Sequence, residues 1–262
     1  MRQKIIDLLP QNHPWAPLVQ VHDCLDSTNT YAKELARQGA PEGTLVIARS
    51  QSAGRGRLGR SFHSPKDSGL YMSLILRPNC AADALMHLTC AVAVAACDAV
   101  EQICGLTPGI KWINDLTVQN KKLGGILTEL IFDNQGKVTA AVIGIGINCC
   151  LDIIPTELKD LACSLSDYTS RTDPAQLAAA LITALEKMRQ NLLTERSVIM
   201  DRYRQNCVTL GKQVRLISPS GTETAFAETV NDDGSLTVLT ESNQRKIVSS
   251  GEVSVRGMWD YT

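Results

Sequence analysis

The sequence predicts an α+β fold in two unequal parts, a large domain over residues 1–208 and a small barrel over residues 209–262. Three observations carry that expectation. Apolar runs of strand length and amphipathic runs of helix length follow one another up to about residue 206, without internal repeats. After Gly211 the pattern changes to short alternating strands cut by turns such as Asp232-Asp233-Gly234, the spacing of a small barrel. A chain of 262 residues with 44% hydrophobic and 20% charged residues can also bury a full core.

Taken in order, residues 18–23 read as a first strand. Ser27-Thr28-Asn29-Thr30 then opens a helix to about Arg37, with Ser27 as N-cap, Tyr31 and Leu35 on one face and Gly39 as the stop. Capping is the simpler account of Ser27 to Asn29; free N–H groups and hydroxyls at a helix start are also a place where a polar ligand binds. Residues 43–51 and 69–77 read as strands, the second ended by Pro78, and residues 81–104 as a long alanine-rich helix stopped by Gly105. Lys111-Trp112-Ile113-Asn114-Asp115 leads into Leu116-Thr117-Val118, a turn at 119–121 and a strand over 122–131. Asp133-Asn134-Gln135-Gly136 is a hairpin turn, and the returning strand, 137–148, ends in Gly144-Ile145-Gly146-Ile147-Asn148. Asp173-Pro174 caps a helix to about Leu193, and a second helical run reaches about Asn206. Short strands follow near 214–216, 225–230, 236–239, 247–248 and 253–255.

The stretch that organises this frame is Gln51-Ser52-Ala53-Gly54-Arg55-Gly56-Arg57-Leu58-Gly59-Arg60, directly after the apolar run Leu45-Val46-Ile47-Ala48. Glycines bring a ligand close to the main chain, and successive bare N–H groups form an anion-binding concavity. Arginine adds a permanently charged planar fork for carboxylate or phosphate. The segment lacks the order of a P-loop or of a dinucleotide-binding turn, and its arginines have no extended basic surroundings. It reads as a loop for small anions.

Lys+Arg and Asp+Glu number 26 and 27, a net charge of −1, which argues against a protein that lives on nucleic acid or an anionic membrane. No uninterrupted apolar stretch reaches transmembrane length, the run from Ala91 reads as a buried helix, and the first residues have no signal-peptide core, so the expected compartment is cytoplasmic. The nine cysteines include no C-x-x-C pair and read as reduced and structural, with Cys90, Cys97 and Cys104 near one helix face.

Three further stretches bear on chemistry. Lys111 to Asp115 puts an amine, an amide and a carboxylate at a strand–turn junction, Lys121-Lys122-Leu123-Gly124-Gly125 supplies lysine and close-approach glycines, and Gly144 to Asn148 ends a strand with two glycines and an amide. Each alone is weak, since such charges pair on surfaces and strand glycines mark bulges. With the arginine loop they supply many cations and one carboxylate able to hold a metal. That set suits joining a carboxylate to the α-phosphate of ATP, where two anions are held in line and positive groups meet the developing charge. No Ser/His/Asp or Cys/His arrangement is evident, and His63 and His87 lack recognisable partners.

Residues 51–60, 111–116, 122–127 and 144–148 resemble the successive signature motifs of bacterial biotin protein ligases, with Leu25-Asp26-Ser27-Thr28-Asn29 before them and Gly251-Glu252-Val253-Ser254-Val255-Arg256 after. The resemblance implies a mixed-sheet catalytic domain followed by a small SH3-like β-barrel. It implies two steps: biotin and MgATP give biotinyl-5′-AMP and pyrophosphate, and a lysine of the biotin carboxyl carrier protein then takes the biotin. By the same resemblance Ser27, Thr28, Asn29, Gln51, Gly54, Arg55, Gly56 and Gly125 face biotin. Arg57 holds the biotin carboxylate and the adenylate phosphate, and Lys122 bridges carboxylate and α-phosphate. Arg60, Lys111, Asn114, Asp115, Asn148 and Arg256 serve the nucleotide, its metal or the incoming lysine, with Asp115 as the Mg2+ ligand. A homodimer is compatible with the resemblance.

Two residues depart from the family pattern. Ile113 stands where proline is usual, which predicts a less rigid turn, and Phe62 stands where a tryptophan is common, leaving a smaller aromatic to close over the nucleotide. The resemblance begins near residue 20, so the DNA-binding domain of the repressor members is not expected, nor is DNA as a partner. The alternative enzyme is a lipoate–protein ligase of related fold, although Ser27-Thr28-Asn29 and Gln51 suit a ureido group better than a dithiolane. In a different class, the loop would grip RNA or a regulatory nucleotide without chemistry; the charge balance and 4% aromatic content weigh against that.

Overall fold

The structure, a computed structural model, describes residues 1–150, 160–218 and 221–249, and the backbone of 254–257. A mixed seven-stranded sheet forms the larger part. Its strands are β1 (Val19–His22), β2 (Leu45–Ala48), β3 (Gly69–Leu76), β4 (Gly109–Lys111), β5 (Asp115–Val118), β6 (Lys121–Phe132) and β7 (Val138–Asn148), ordered β1-β2-β3-β7-β6-β5-β4. Only β1 and β2 run parallel; the other neighbours are antiparallel. Helix α2 (Thr28–Arg37) lies on one face, burying Ala32 and Ala36 against Val46, Ile75, Ala140 and Val142. The other face carries α3 (Leu88–Cys104), α4 (Pro174–Asn191) and α5 (Arg196–Asn206).

Helix α3 is apolar nearly all round because it is buried nearly all round, and Cys90, Cys97 and Cys104 are fillers of that core. Residues 82–104 are long and apolar enough to cross a bilayer, but most of that segment is inside the protein. The expected single helix over 81–104 is in fact broken. Residues Ala82–Leu85 form a 3-10 turn, where the Asp83 carboxylate takes the Ala84 N–H at 2.8 Å and competes with the helical bond. His87 at the break is buried, with Nε2 2.8 Å from the Leu192 carbonyl, a structural partner that sequence reading did not find.

One helix was not expected. Segment α1 (Arg2–Leu8) is too short to be stable alone, and its context holds it: Ile5 is buried, Arg2 Nε donates to the Val19 carbonyl at 2.8 Å, and Lys4 pairs with Asp173 at 2.7 Å.

The second sheet comprises β8 (Gln213–Ser218), β9 (Gly221–Val230), β10 (Leu236–Thr240), β11 (Arg245–Val248) and β12 (Ser254–Gly257), ordered β11-β10-β9-β8-β12 and antiparallel throughout, as in the expected SH3-like barrel. The expected turn at 219–220 and the start of the last motif, 251–253, lie outside the described residues. Val214, Leu216, Ala225 and Ala227 belong to the same apolar cluster as α3, so the two sheets share a core.

Candidate functional site

The cleft lies on the α2 face of the large sheet, and the alternation of β7 builds its floor. Ile143, Ile145 and Ile147 point into the core under α3, while Gly144 and Gly146 point the other way. Across the strands, Ser73, Gly144 and Leu127 form one row of that face, and Tyr71, Gly146 and Gly125 the next. The α2 N-terminus closes one end of the cleft and the arginine loop covers the other.

At the α2 end the cleft-lining side chains Ser27, Thr28, Asn29 and Gln51 are uncharged and bonded within the protein, with the Glu129–Lys33 ion pair behind Asn29. Ser27 caps the helix by accepting from the Thr30 N–H at 3.4 Å. Gln51 Oε1 accepts from the Thr28 N–H at 2.8 Å, and its Nε2 donates to Ser64 Oγ at 2.8 Å. Ser73 Oγ lies 2.8 Å from both Thr28 Oγ1 and Asn29 Oδ1. Asn29 Nδ2 donates to Glu129 Oε2 at 2.8 Å, and Lys33 holds the other carboxylate oxygen at 2.8 Å.

The opposite end is charged. Lys122 reaches it through a β-bulge: Leu116 pairs with Gly124 and Thr117 with Lys122, leaving Leu123 as an extra residue in β6. In an unbroken strand Lys122 and Gly125 would face opposite ways; here they share the cleft. The Lys122 main chain is fixed on its far side by bonds to Leu161 and Cys163. Its Nζ donates to Asp115 Oδ1 at 2.7 Å, and Asn114 Nδ2 to the same oxygen at 3.2 Å. Asn114 Oδ1 accepts from Arg57 Nη1 at 2.9 Å. Burial pushes the Arg57 guanidinium below its ordinary pKa while Asp115 pulls it up, so a further negative charge beside it is favourable. Among the described residues lining the cleft, the cations Arg55, Arg57, Arg60, Lys111 and Lys122 face one carboxylate, Asp115. The protein as a whole carries −1, so this is a local concentration of positive charge.

The arginine loop folds back on itself. Phe62 N–H donates to the Gly54 carbonyl at 2.8 Å and Gly56 N–H to the Arg60 carbonyl at 2.7 Å, with Leu58 left-handed at φ 54°. Phe62 sits over Gly146, edge-on to Tyr71 at 6.4 Å. The Lys111–Asp115 turn rests on the second sheet. Trp112 N–H donates to Thr209 Oγ1 at 2.9 Å and its indole Nε1 to the Gly234 carbonyl at 3.0 Å. Ile113, after a cis peptide bond, is buried, so hydrogen bonds and packing hold a turn expected to be loose.

Of the sequence-predicted site residues, Ser27, Thr28, Asn29, Gln51, Arg55, Gly56, Arg57, Arg60, Lys111, Asn114, Asp115, Lys122 and Gly125 line this one cleft. Gly54 does not: a Cβ there would lie 2.4 Å from the Phe62 carbonyl, so it closes the loop. Asn148 turns its amide to the Cys163 carbonyl at 3.0 Å and is absent from the lining. Arg256 lies opposite Arg215 on β12, with its side chain outside the described residues. The glycines differ from expectation too. A Cβ at Gly144 would come within 2.3 Å of Asn29 Oδ1, at Gly146 within 2.6 Å of Phe62, and at Gly124 within 2.4 Å of the Gly146 carbonyl. They make room for the protein's own groups. Sequence reading missed Ser64, Ser73, Lys33 and Glu129; a lone serine inside the buried strand Gly69–Leu76 was a signal, because a buried hydroxyl needs a partner.

The chain matches the Biotin/lipoate A/B protein ligase family over residues 21–148 and the Biotin protein ligase C terminal domain over residues 209–256. It is 37% identical over 233 residues to the bifunctional ligase/repressor BirA of Bacillus subtilis, covering 87% of this chain and 71% of that protein. It is 30% identical over 234 residues to the biotin–[acetyl-CoA-carboxylase] ligase of Mycobacterium tuberculosis, covering 87% of this chain and 85% of the other. The fold is similar to that of the Aquifex aeolicus biotin protein ligase solved with biotin and ATP, with a TM-score of 0.79 at 28% identity, covering 91% of this chain and 98% of that one.

Proposed function

Because the chain belongs to the biotin/lipoate A/B protein ligase family, and to its biotin ligases, we propose that the two ends of the cleft divide biotin from ATP. The enzyme activates biotin with ATP to biotinyl-5′-AMP and passes the biotin to a carrier-protein lysine. The observation that carries the division is the contrast in charge: the uncharged Ser27, Thr28, Asn29 and Gln51 at the α2 end, and Arg57, Arg60, Lys111 and Lys122 with one carboxylate, Asp115, at the other.

In the first step a biotin carboxylate oxygen attacks the α-phosphorus and the bond to pyrophosphate breaks. Lys122 and Arg57 stand where they neutralise both anions, and Lys122 is worth most as charge builds on the phosphoryl oxygens. Its bond to Asp115 at 2.7 Å keeps the ammonium aimed before substrate arrives. In the second step the lysine amine attacks the acyl carbon and AMP leaves, with Arg57 still on the phosphate. Phe62 shields the mixed anhydride from water. Arg60 and Lys111 serve the nucleotide phosphates.

Asp115, with Asn114 beside it, suits Mg2+, which is bound through one or two carboxylates plus substrate phosphates. When bound, the ion neutralises phosphate charge. The carrier protein is the macromolecular partner. The net charge of −1 and the narrowness of the arginine-lined cleft support a small anion, not DNA, as the ligand. Nine free thiols support a cytoplasmic setting.

Biotin-dependent exchange of pyrophosphate into ATP tests the reading. The expected result is exchange with biotin and none without it. Exchange supported by lipoate and not by biotin, or by neither, overturns it.

A further inference from the structure

Strand β4 is three residues long and ends the larger sheet, so the backbone groups on its outer side need a partner. The connector between α5 and β8 supplies one. Cys207 bridges to Ile110 in parallel, and the Val208 N–H donates to the Ile110 carbonyl at 2.9 Å. Gly109 permits the approach, since a Cβ there would lie 2.3 Å from Val208 Cγ1. The next outward donor along this edge is the Trp112 N–H, and its acceptor is a side chain, Thr209 Oγ1 at 2.9 Å. Both residues are buried, Trp112 to 4% exposure and Thr209 to 2%. The connector leaves the edge here for the second sheet, where the Gly211 N–H donates to the Ala227 carbonyl at 2.9 Å. The threonine hydroxyl thus carries the pairing one step further than the backbone does.

Beyond Trp112 the chain turns at Asn114 and Asp115. Asn114 is tied to β6: its carbonyl takes the Ile126 N–H at 2.9 Å, and its Nδ2 donates to the Ile126 carbonyl at 3.0 Å. One side of the corner is therefore held by β6, and the other by Thr209 together with the indole bond to Gly234. The corner carries the groups that meet Arg57 and Lys122.

We infer that Thr209 is a positioning residue for the charged end of the cleft: its hydroxyl, acting through the Trp112 main chain, fixes the corner from which Asn114 and Asp115 meet MgATP. The inference rests on the ligase reading above. Thr209 is not among the residues lining the cleft, so it acts through the turn and touches no substrate. A buried N–H left without an acceptor costs as much as a lost hydrogen bond. Thr209→Val keeps the volume and removes the acceptor, so the turn must shift or hold its donor bare.

The test compares the wild type with Thr209→Val, Thr209→Ser and Thr209→Ala in the full chain. It reads the KM for ATP in biotin-dependent pyrophosphate exchange, the Kd for biotin by titration calorimetry, and amide hydrogen exchange across residues 110–115. In Thr209→Val the KM for ATP should rise about tenfold, the effect of one buried bond lost, and hydrogen exchange across the turn should quicken. The Kd for biotin should stay within about twofold, a split that a general loss of structure would not give. Thr209→Ser keeps the hydroxyl and should lie within about twofold of wild type on every measure. Lost packing alone would leave it as poor as Thr209→Ala, since both lack the methyl group. Should Thr209→Val not fold, Thr209→Ala must show the same split between ATP and biotin. A KM for ATP unchanged without the hydroxyl, a biotin Kd that worsens in step with it, or a Thr209→Ser as impaired as Thr209→Ala overturns the inference while leaving the ligase reading intact. A wild-type protein without biotin-dependent exchange overturns both.

Discussion

At the α2 end of the cleft, Gln51, Thr28, Ser73, Asn29 and Glu129 are hydrogen-bonded to one another. At the arginine end, Arg57, Asn114, Asp115 and Lys122 also touch, but there cations outnumber carboxylates and the surplus is met by whatever anion binds. The first end is built to discriminate: a ligand with the wrong donor pattern leaves a buried group unpaired, which costs more than a good bond gains. On the proposed reading, the second stabilises charge as it develops.

The contrast breaks most sharply at Lys122. Lys122→Ala should cut biotin-dependent pyrophosphate exchange by about 10²–10³, the effect of losing one placed donor, while the thermal midpoint barely moves. Normal exchange would mean that this end does not work through a placed ammonium. Arg57→Ala comes next. Losing its charge-assisted contacts, each about 1.5–3 kcal/mol, should speed release of biotinyl-5′-AMP roughly ten- to a hundredfold, read as stray labelling of bystander lysines. Retention as long as in the wild type would remove Arg57 from the phosphate.

Gly144→Ala tests the neutral end by crowding. Its Cβ would meet Asn29 Oδ1 at 2.3 Å, and that amide is tied on both sides. The expected outcome is a loss of about 1–3 kcal/mol in stability together with weaker biotin binding and an unchanged KM for ATP. Equal losses for both substrates would show that the ends are not separate. The smallest effect is expected of Lys121→Ala, on the side of β6 away from the cleft, where exchange should stay within about twofold of wild type. A loss matching that of Lys122→Ala would mean that basicity in general, and not the bulge that places Lys122, is what matters.

The strand ending in Gly144-Ile145-Gly146-Ile147-Asn148 was legible because it depends on local residue types, and the residues of the arginine loop do line the cleft. The bulge at Leu123 was not legible. It arises from pairing with β5 and with residues 161–163, contacts that no local pattern announces. Glu129 likewise reads as an ordinary strand carboxylate until β6 is laid beside β7 and α2 is placed over both. The glycines have a further role that sequence reading did not assign, for a related reason. Space beside a strand can be taken by any nearby group, and here Phe62 and Asn29 take it from distant parts of the chain.

The bonds from Trp112 to Thr209 and Gly234 have a consequence for the order in which the enzyme comes into being. The side chains of the neutral end, and the β7 glycine packed against Asn29, all lie before residue 149, whereas Trp112, in the turn carrying Asn114 and Asp115, leans on a carbonyl 122 positions later. At a synthesis rate of about 5–20 residues per second, some ~6–24 s separate the emergence of that indole from the arrival of its acceptor. A nascent chain thus holds the makings of a vitamin pocket well before the charged end has its footing. Stalled chains that stop short of Thr209 should bring down biotin without exchanging pyrophosphate, and those that extend past β10 should do both.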